Sequence, residues 1–171
     1  DLGMVRFLHQ GLGADLATAS DLNASVLYIA SQQNHPEIVK YALEQGVDAE
    51  RCTKHGASPL HISTQQGHSQ IASILLRHGA DPNTARPPSW TTPLYLASVT
   101  GNQRIAEALI AAGARVNQGS GKARATPLYA AAREGHTDVV DLLLRSGANI
   151  SASSIDGVSC FLAACRSGEI G

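Results

Sequence analysis

The sequence predicts an all-α solenoid, in which pairs of antiparallel helices stack on one another with hairpin loops along one edge. The first observation behind this prediction is a motif that begins at Ser58-Pro59 and returns at Thr92-Pro93 and Thr126-Pro127, 34 residues apart each time. Two further landmarks, a Gly-His or Gly-Asn pair and a Gly-Ala or Gly-Val pair, keep a spacing of 33 or 34 residues along the chain. Three landmarks that share one period indicate an array of similar structural units.

Each landmark also predicts a local structure, most clearly in the unit that starts at Thr126. Thr126 is a typical N-cap, and Pro127 occupies the first helical position, where its fixed φ is favourable. Gly135 is expected to end a first short helix, and residues 136–146 to form a second helix, whose apolar side includes Leu143. No such unit can bury its apolar side alone, so the units have to stack.

The run from Thr126 to Asn149 resembles the ankyrin repeat. Its matching features are Thr-Pro-Leu-Tyr-Ala-Ala at 126–131, Gly-His at 135–136, three leucines at 142–144 and Gly-Ala-Asn at 147–149. The resemblance covers essentially the whole chain and implies one continuous solenoid domain of helix-turn-helix repeats. It implies full repeats at 20–52, 53–86, 87–120 and 121–153, with partial repeats at 1–19 and 154–171.

Two stretches are longer than the repeat pattern requires, and the first of them carries an unusual residue. Residues 84–91 and 118–125 are each one residue longer than their equivalents in the other units. Trp90 stands in the first of them, at a hairpin position that is usually Gly in this family. Asn34 replaces a capping Gly, which is acceptable because Asn tolerates the left-handed conformation. We therefore expect a longer hairpin that carries Trp90.

Composition argues against several classes of function. The chain has 13 Lys and Arg against 14 Asp and Glu, and a net charge of −1 argues against general binding of nucleic acid or anionic membranes. No apolar run approaches the roughly 18–20 residues of a membrane span. The three cysteines are odd in number and irregularly spaced, which favours a reducing, intracellular setting in the cytoplasm or nucleus.

The sequence has no local signature of catalysis or metal binding. The run Gly119-Ser120-Gly121-Lys122 lacks two features of a phosphate-binding loop, because Val116 stands where a Gly is needed and Ala123 where a Ser or Thr is needed. We interpret it as a hairpin turn. The seven histidines show no spacing typical of zinc ligands, and no nucleophile with a base and an orienting group can be assembled. We therefore expect that the protein is not an enzyme and needs no cofactor or metal.

The resemblance implies a module that recognises another protein or peptide through a rigid concave surface of hairpin tips and first helices. Packed repeats lose little conformational entropy when they bind. The hairpin tips that map onto this surface are Lys54, His55, Ser89, Trp90, Thr91, Lys122 and Arg124. The adjoining groove takes Gln32, Gln33, Gln65, Gln66, Val99, Thr100, Arg133 and Glu134. The alternative is a structural or autoregulatory segment of a larger enzyme, channel or ubiquitin-ligase adaptor, docking in cis.

Charge on this surface predicts the chemistry of the partner. Its cations are Lys54, Lys122, Arg124, Arg133 and Arg166, and its acids are Asp21, Glu134 and Asp156. Trp90 adds a large apolar surface, and Trp and Arg are the residue types most often found as binding hot spots. We expect an acidic partner segment with at least one apolar anchor, bound by a monomeric or weakly associating chain. The alternative role for Trp90 is to pack over Pro87 and Pro88 and brace its own loop.

Two asparagines are candidates for hydroxylation, because ankyrin-like arrays can be substrates of a 2-oxoglutarate-dependent asparaginyl hydroxylase. The family's preferred context is a Leu eight residues before the Asn, with an acid and an apolar residue immediately before it. Asn83 and Asn117 both have the Leu and the apolar residue, and only Asn83 has the acid. The alternative is that each Asn side chain simply braces its turn.

Overall fold

The structure is a computed structural model of the 171-residue chain, and it describes residues 1–16, 20–121, 124–152 and 159–167. In the last of these ranges, the side chains of residues 164, 166 and 167 are not described. The helices are α1 (Leu2–Arg6), continued by a π-helical turn (Phe7–Gly11), α2 (Val26–Gln32), α3 (Pro36–Glu44), α4 (Pro59–Gln65), α5 (Ser69–Arg77), α6 (Pro93–Val99), α7 (Gln103–Ala111), α8 (Pro127–Arg133), α9 (Thr137–Arg145) and α10 (Cys160–Ser167). Two isolated β-bridges, Arg86 with Thr91 and Ser120 with Ala125, lie in hairpins of the described ranges.

The helices group into two compact units, residues 1–81 and residues 82–171. In the first unit α2 packs against α3 and α4 against α5, while α2 also packs against α4 and α3 against α5. The second unit repeats this pattern with α6, α7, α8 and α9, and α10 packs against α8. Each unit is therefore a stack of helix pairs, which confirms the predicted all-α fold.

The first helix of each pair begins at a Ser or Thr N-cap, as the sequence predicts. In α8 the hydroxyl oxygen of Thr126 accepts a hydrogen bond from the backbone N–H of Tyr129 at 3.2 Å, and Pro127 occupies the first turn. Equivalent hydroxyl caps begin α2, α4 and α6, at Ser25, Ser58 and Thr92. The caps satisfy backbone donors that the first turn leaves unpaired, and so they fix where each pair starts.

Residues in the left-handed conformation follow the first helices. Gly101 has φ +66° and Gly135 has φ +75°, and Asn34 takes the same conformation with φ +57°, as predicted from its position. Gly101 meets a second constraint, because a Cβ atom added there would lie 2.6 Å from the His136 ring. Close packing between the two turns therefore requires Gly at this position as much as the backbone angle does.

The core of each unit is built from aliphatic side chains. Those of the second helices that are fully buried include Val39, Ile71, Leu75, Ile105, Leu109, Val139 and Leu143. In α9, Leu143 has an exposed fraction of 0%, whereas the next residue, Leu144, is 39% exposed. The predicted inward position of Leu143 is confirmed, and the boundary between the buried and the exposed side of α9 runs between these two leucines.

Candidate functional site

A hairpin that carries Trp90 lies directly before α6 in the second unit. The backbone N–H of Arg86 donates to the carbonyl oxygen of Thr91 at 2.9 Å, and the N–H of Thr91 donates to the carbonyl of Arg86 at 3.2 Å. Within the hairpin Ser89 is exposed, Thr91 is half-buried, and their hydroxyl groups share a hydrogen bond. Trp90 is 62% exposed. Most of its surface therefore faces solvent, and packing of the covered part over Pro87 and Pro88 stays the alternative role.

The next hairpin of the second unit is closed in the same way, between Ser120 and Ala125. Its two end residues exchange backbone hydrogen bonds of 2.8 and 3.0 Å, and Arg124 is exposed at the position that Trp90 takes in the preceding hairpin. The two hairpins are neighbours, because a Cβ atom added at Gly121 would lie 3.7 Å from the carbonyl oxygen of Ser89. Trp90 and Arg124 thus belong to adjacent loops on one edge of this unit.

Both of these residues adopt the left-handed backbone conformation. The φ angle is +53° at Trp90 and +50° at Arg124, whereas the shorter turn before α4 has Gly56 at φ +71°. A bulky L-residue at such a φ costs about 1–2 kcal/mol relative to Gly. The second unit therefore has Trp and Arg where Gly would give the more stable turn, and strain of this kind is a reason to look for a function.

Arg133 and Glu134 lie together at the C-terminal end of α8, and both are exposed. The Arg133 guanidinium donates to one Glu134 carboxylate oxygen from Nε at 2.8 Å and from Nη2 at 2.6 Å. This hydrogen bond raises the pKa of Arg133 above its ordinary value; partial burial opposes the rise, and Tyr95, Glu134 and Tyr129 add to it electrostatically. Arg133 is therefore a permanent cation, and Glu134 balances part of its charge.

Val99 and Thr100 end α6 in the same unit and differ in their roles. Val99 is half-buried, and its carbonyl oxygen accepts a hydrogen bond from Nε2 of His136 at 3.0 Å. Thr100 is exposed, and its hydroxyl donates to the carbonyl of Leu96 at 3.0 Å. The Val99 carbonyl therefore links α6 to the following helix pair, whereas Thr100 faces the solvent.

The remaining predicted residues belong mostly to the first unit, where all of them are exposed. They are Lys54 and His55 in the turn before α4, Gln65 and Gln66 at the end of α4, and Gln32 and Gln33 at the end of α2. Lys122 and Asp156 lie outside the described residues, and so does the side chain of Arg166.

The candidate hydroxylation sites connect successive turns of the second unit. Nδ2 of Asn83 donates to the carbonyl oxygen of Gly113 at 3.2 Å, and Oδ1 accepts from the N–H of Arg115 at 2.8 Å. Asn117 binds the turn that follows in the same way, at 3.1 and 2.8 Å. These contacts support the bracing role for both side chains. Hydroxylation of Asn83 and Asn117 stays a prediction.

Groups suited to metal binding do not gather in the part of the chain that the structure describes. There, no set of three or more His, Cys, Asp or Glu side chains could hold a metal ion. Burial raises the pKa of the Cys52 and Cys160 thiols, and Glu50 and Asp48 add to the rise at Cys52. A raised pKa makes a thiol less nucleophilic at neutral pH. The run that resembles a phosphate-binding loop contributes Ser120 and Gly121 to the second hairpin, as expected.

Two residues near the site were not among those predicted from the sequence. Tyr95 of α6 and Tyr129 of α8 are half-buried and lie close enough to Arg133 to influence its pKa. Both occupy the position where the ankyrin repeat usually has His, so the sequence does mark them as unusual. It does not indicate that both hydroxyl groups come near one arginine.

Comparison with known proteins gives one result that agrees with this architecture. No curated protein matches the chain. In the described residues, no helix is long and apolar enough to cross a membrane. A family model described as ankyrin repeats, in three copies, matches residues 1–86 and 87–154. These matches span most of the sequence and include the helix pairs of both units. The chain therefore belongs to the ankyrin repeat family.

Proposed function

We propose that this chain binds a partner protein through the hairpin edge of its second unit, with Trp90 as the apolar anchor. Ankyrin repeats are generally protein–protein interaction modules. The observation that carries the proposal is the 62% exposure of Trp90 in a strained hairpin. A strained and exposed Trp offers no gain to the free protein, so we infer that selection for binding keeps it there.

The size of the Trp90 contribution follows from its exposed area. A Trp side chain offers about 250 Å², so an exposed fraction of 62% leaves about 150 Å² to bury against a partner. At about 25 cal/mol per Å² this burial is worth about 4 kcal/mol before the costs of association. Trp90 is therefore large enough to act as a hot spot on its own.

An acidic partner segment is the best match to the charges of this edge. Among the described residues of this edge, Arg86, Arg124 and Arg133 supply three cations, and the predicted acid Glu134 is already bound by Arg133. A partner carboxylate can pair with Arg124 at the hairpin tip while an apolar side chain contacts Trp90. Arg133, which lies beside Tyr95 and Tyr129, offers a third point of contact for the partner.

We also propose an intracellular setting and a monomeric or weakly associating chain that binds without catalysing a reaction. Cys52, Cys160 and Cys165 are all free thiols, which fits a reducing compartment. Ankyrin repeat domains are typically non-catalytic, and the raised pKa values of Cys52 and Cys160 argue against a thiol nucleophile. Cys165 is exposed, and the proposal gives it no role in binding.

The test is a pull-down with the wild-type chain, followed by titration of the purified partner against variants. Trp90→Ala should weaken binding at least tenfold, and Arg133→Glu should weaken it by an amount that shrinks as salt rises. Arg104→Glu is the matched control, because Arg104 is equally exposed but lies on the second helix α7. Melting temperatures should stay nearly unchanged. If both site variants bind the partner as tightly as the wild type, recognition happens elsewhere.

A further inference from the structure

We propose that the first unit holds a second binding site, a groove between the second helices α3 and α5 that takes an acidic peptide segment of another protein. The groove has a volume of about 360 Å³. It is formed by second helices, whereas the proposed hairpin edge is formed by turns and first helices. We call it the second-helix groove. Pro36 and Ile74 supply its apolar surface, and its polar residues divide into two groups of opposite character.

The first group contains two cations, Lys40 on α3 and Arg77 at the end of α5, with His78 beside Arg77. Nε of Arg77 donates to the carbonyl of Ser73 at 3.2 Å, which holds the guanidinium stem along the helix and commits only one of its donors. Nδ1 of His78 donates to the carbonyl of Ile74 at 3.0 Å, which holds the ring against the end of α5. These bonds orient both groups before a ligand arrives.

Lys40 has an acidic neighbour that does not neutralise it. Its ammonium lies 3.9 Å from the Glu44 carboxylate, and the two side chains are 60% and 49% exposed. A solvated pair at this distance contributes little, because water screens it and both side chains are flexible. A carboxylate held in the groove can therefore compete for Lys40.

The second group, Glu37 and Gln70, lies in the first turns of α3 and α5 and gives the groove a direction. Glu37 disfavours an acid at this end, whereas Arg77, the last residue of α5, favours one at the other end, and Lys40 lies in the middle of α3. The groove therefore fits an extended segment with acidic residues against Arg77 and a small apolar residue against Pro36 and Ile74. A neutral or basic residue fits beside Glu37.

The net charge of the first unit favours a short peptide as the ligand over a polyanion. Residues 1–81 contain five Lys and Arg and eight Asp and Glu, so the first unit is negative overall. A nucleic acid or an anionic membrane would meet that net negative charge beyond the groove and be repelled. A short peptide contacts only the groove, whose lining has two cations, Lys40 and Arg77, and one acid, Glu37. The observations thus favour a peptide over a nucleic acid or an anionic membrane.

The experiment titrates the full chain with a fluorescein-labelled peptide of about ten residues, composed of Glu and Ala, and follows anisotropy at low salt. Amide shifts in a nitrogen–proton NMR spectrum should concentrate on α3 and α5. Arg77→Glu and Lys40→Glu should each weaken binding about fivefold, since each removes one attraction and creates one repulsion. Thermal melts check that both variants fold, which is expected because both changes are on exposed side chains.

Arg145→Glu is the matched control, because Arg145 is exposed at the last position of α9, as Arg77 is at the last position of α5. It should leave peptide affinity unchanged, and so should Trp90→Ala, which separates this groove from the hairpin edge. Equal losses in Arg77→Glu and Arg145→Glu would mean that the peptide senses only overall charge, and would overturn the proposal. Absence of binding, shifts outside α3 and α5, or displacement of the peptide by a single-stranded oligonucleotide or anionic vesicles would overturn it as well.

Discussion

Replacing Leu143 with Ala tests the packing of the second unit at its most buried point. The side chain is fully buried in α9, which packs against both α7 and α8. Loss of about three buried carbon groups removes about 2.4 kcal/mol of transfer free energy, and the cavity that remains adds to this. Ala returns only a few tenths of a kcal/mol in helix propensity. We therefore expect the free energy of unfolding to fall by about 3 kcal/mol.

The assay is urea denaturation followed by circular dichroism, with Leu144→Ala as the control. Leu144 is the same residue type in the same helix, and its 39% exposure predicts a loss of about 1 kcal/mol or less. Subtracting the two losses cancels the propensity term and leaves the effect of burial. At a denaturant dependence of about 1–3 kcal/mol per molar, Leu143→Ala should lower the midpoint by about 1 M or more. A loss below about 0.5 kcal/mol, or one equal to that of Leu144→Ala, would show that the buried face of α9 is assigned wrongly.

Further predictions concern turns, thiols and metals. Gly119→Ala should cost about 1–3 kcal/mol, because the new Cβ would lie 2.5 Å from the carbonyl oxygen of Arg124; a melting temperature equal to that of the wild type contradicts this close approach. Trp90→Gly should raise the free energy of unfolding by about 0.5–1 kcal/mol by relieving the left-handed strain, and a fall would count against that strain. Iodoacetamide at neutral pH should label exposed Cys165 before Cys52, whose raised pKa leaves less thiolate, and peptide mass mapping would reveal the opposite order. The melting temperature should not respond to a chelator or a thiol reductant, and a marked drop with either points to a metal or disulfide that this reasoning omits.

The helix pairs could be predicted from the sequence because each boundary has its own local chemistry. The hydroxyl of Thr126 satisfies a backbone donor of its own helix, and Gly135 supplies a left-handed residue within a few positions. Signals of this kind depend only on neighbours in the chain, so they can be recognised without knowing the packing. The spacing of the landmarks also predicts the longer hairpin that carries Trp90, but it does not predict the left-handed backbone at this residue.

The contacts between neighbouring pairs could not be predicted in the same way. Lys40 and Arg77 meet across one groove although 37 positions separate them, and Tyr95 and Tyr129 come near one guanidinium from two different helices. Which side chains meet depends on how far one pair is shifted and rotated against the next. A period of 33 or 34 residues fixes the order of the pairs but leaves that shift open.

The amides of Asn83 and Asn117 have a mechanical consequence for the second unit. Each joins its own turn to the following one by two hydrogen bonds that span the same gap, so a load that parts the turns must break both together. Since the links run in series along the unit, they resist the parting of neighbouring turns together with the packing of the helix pairs behind them.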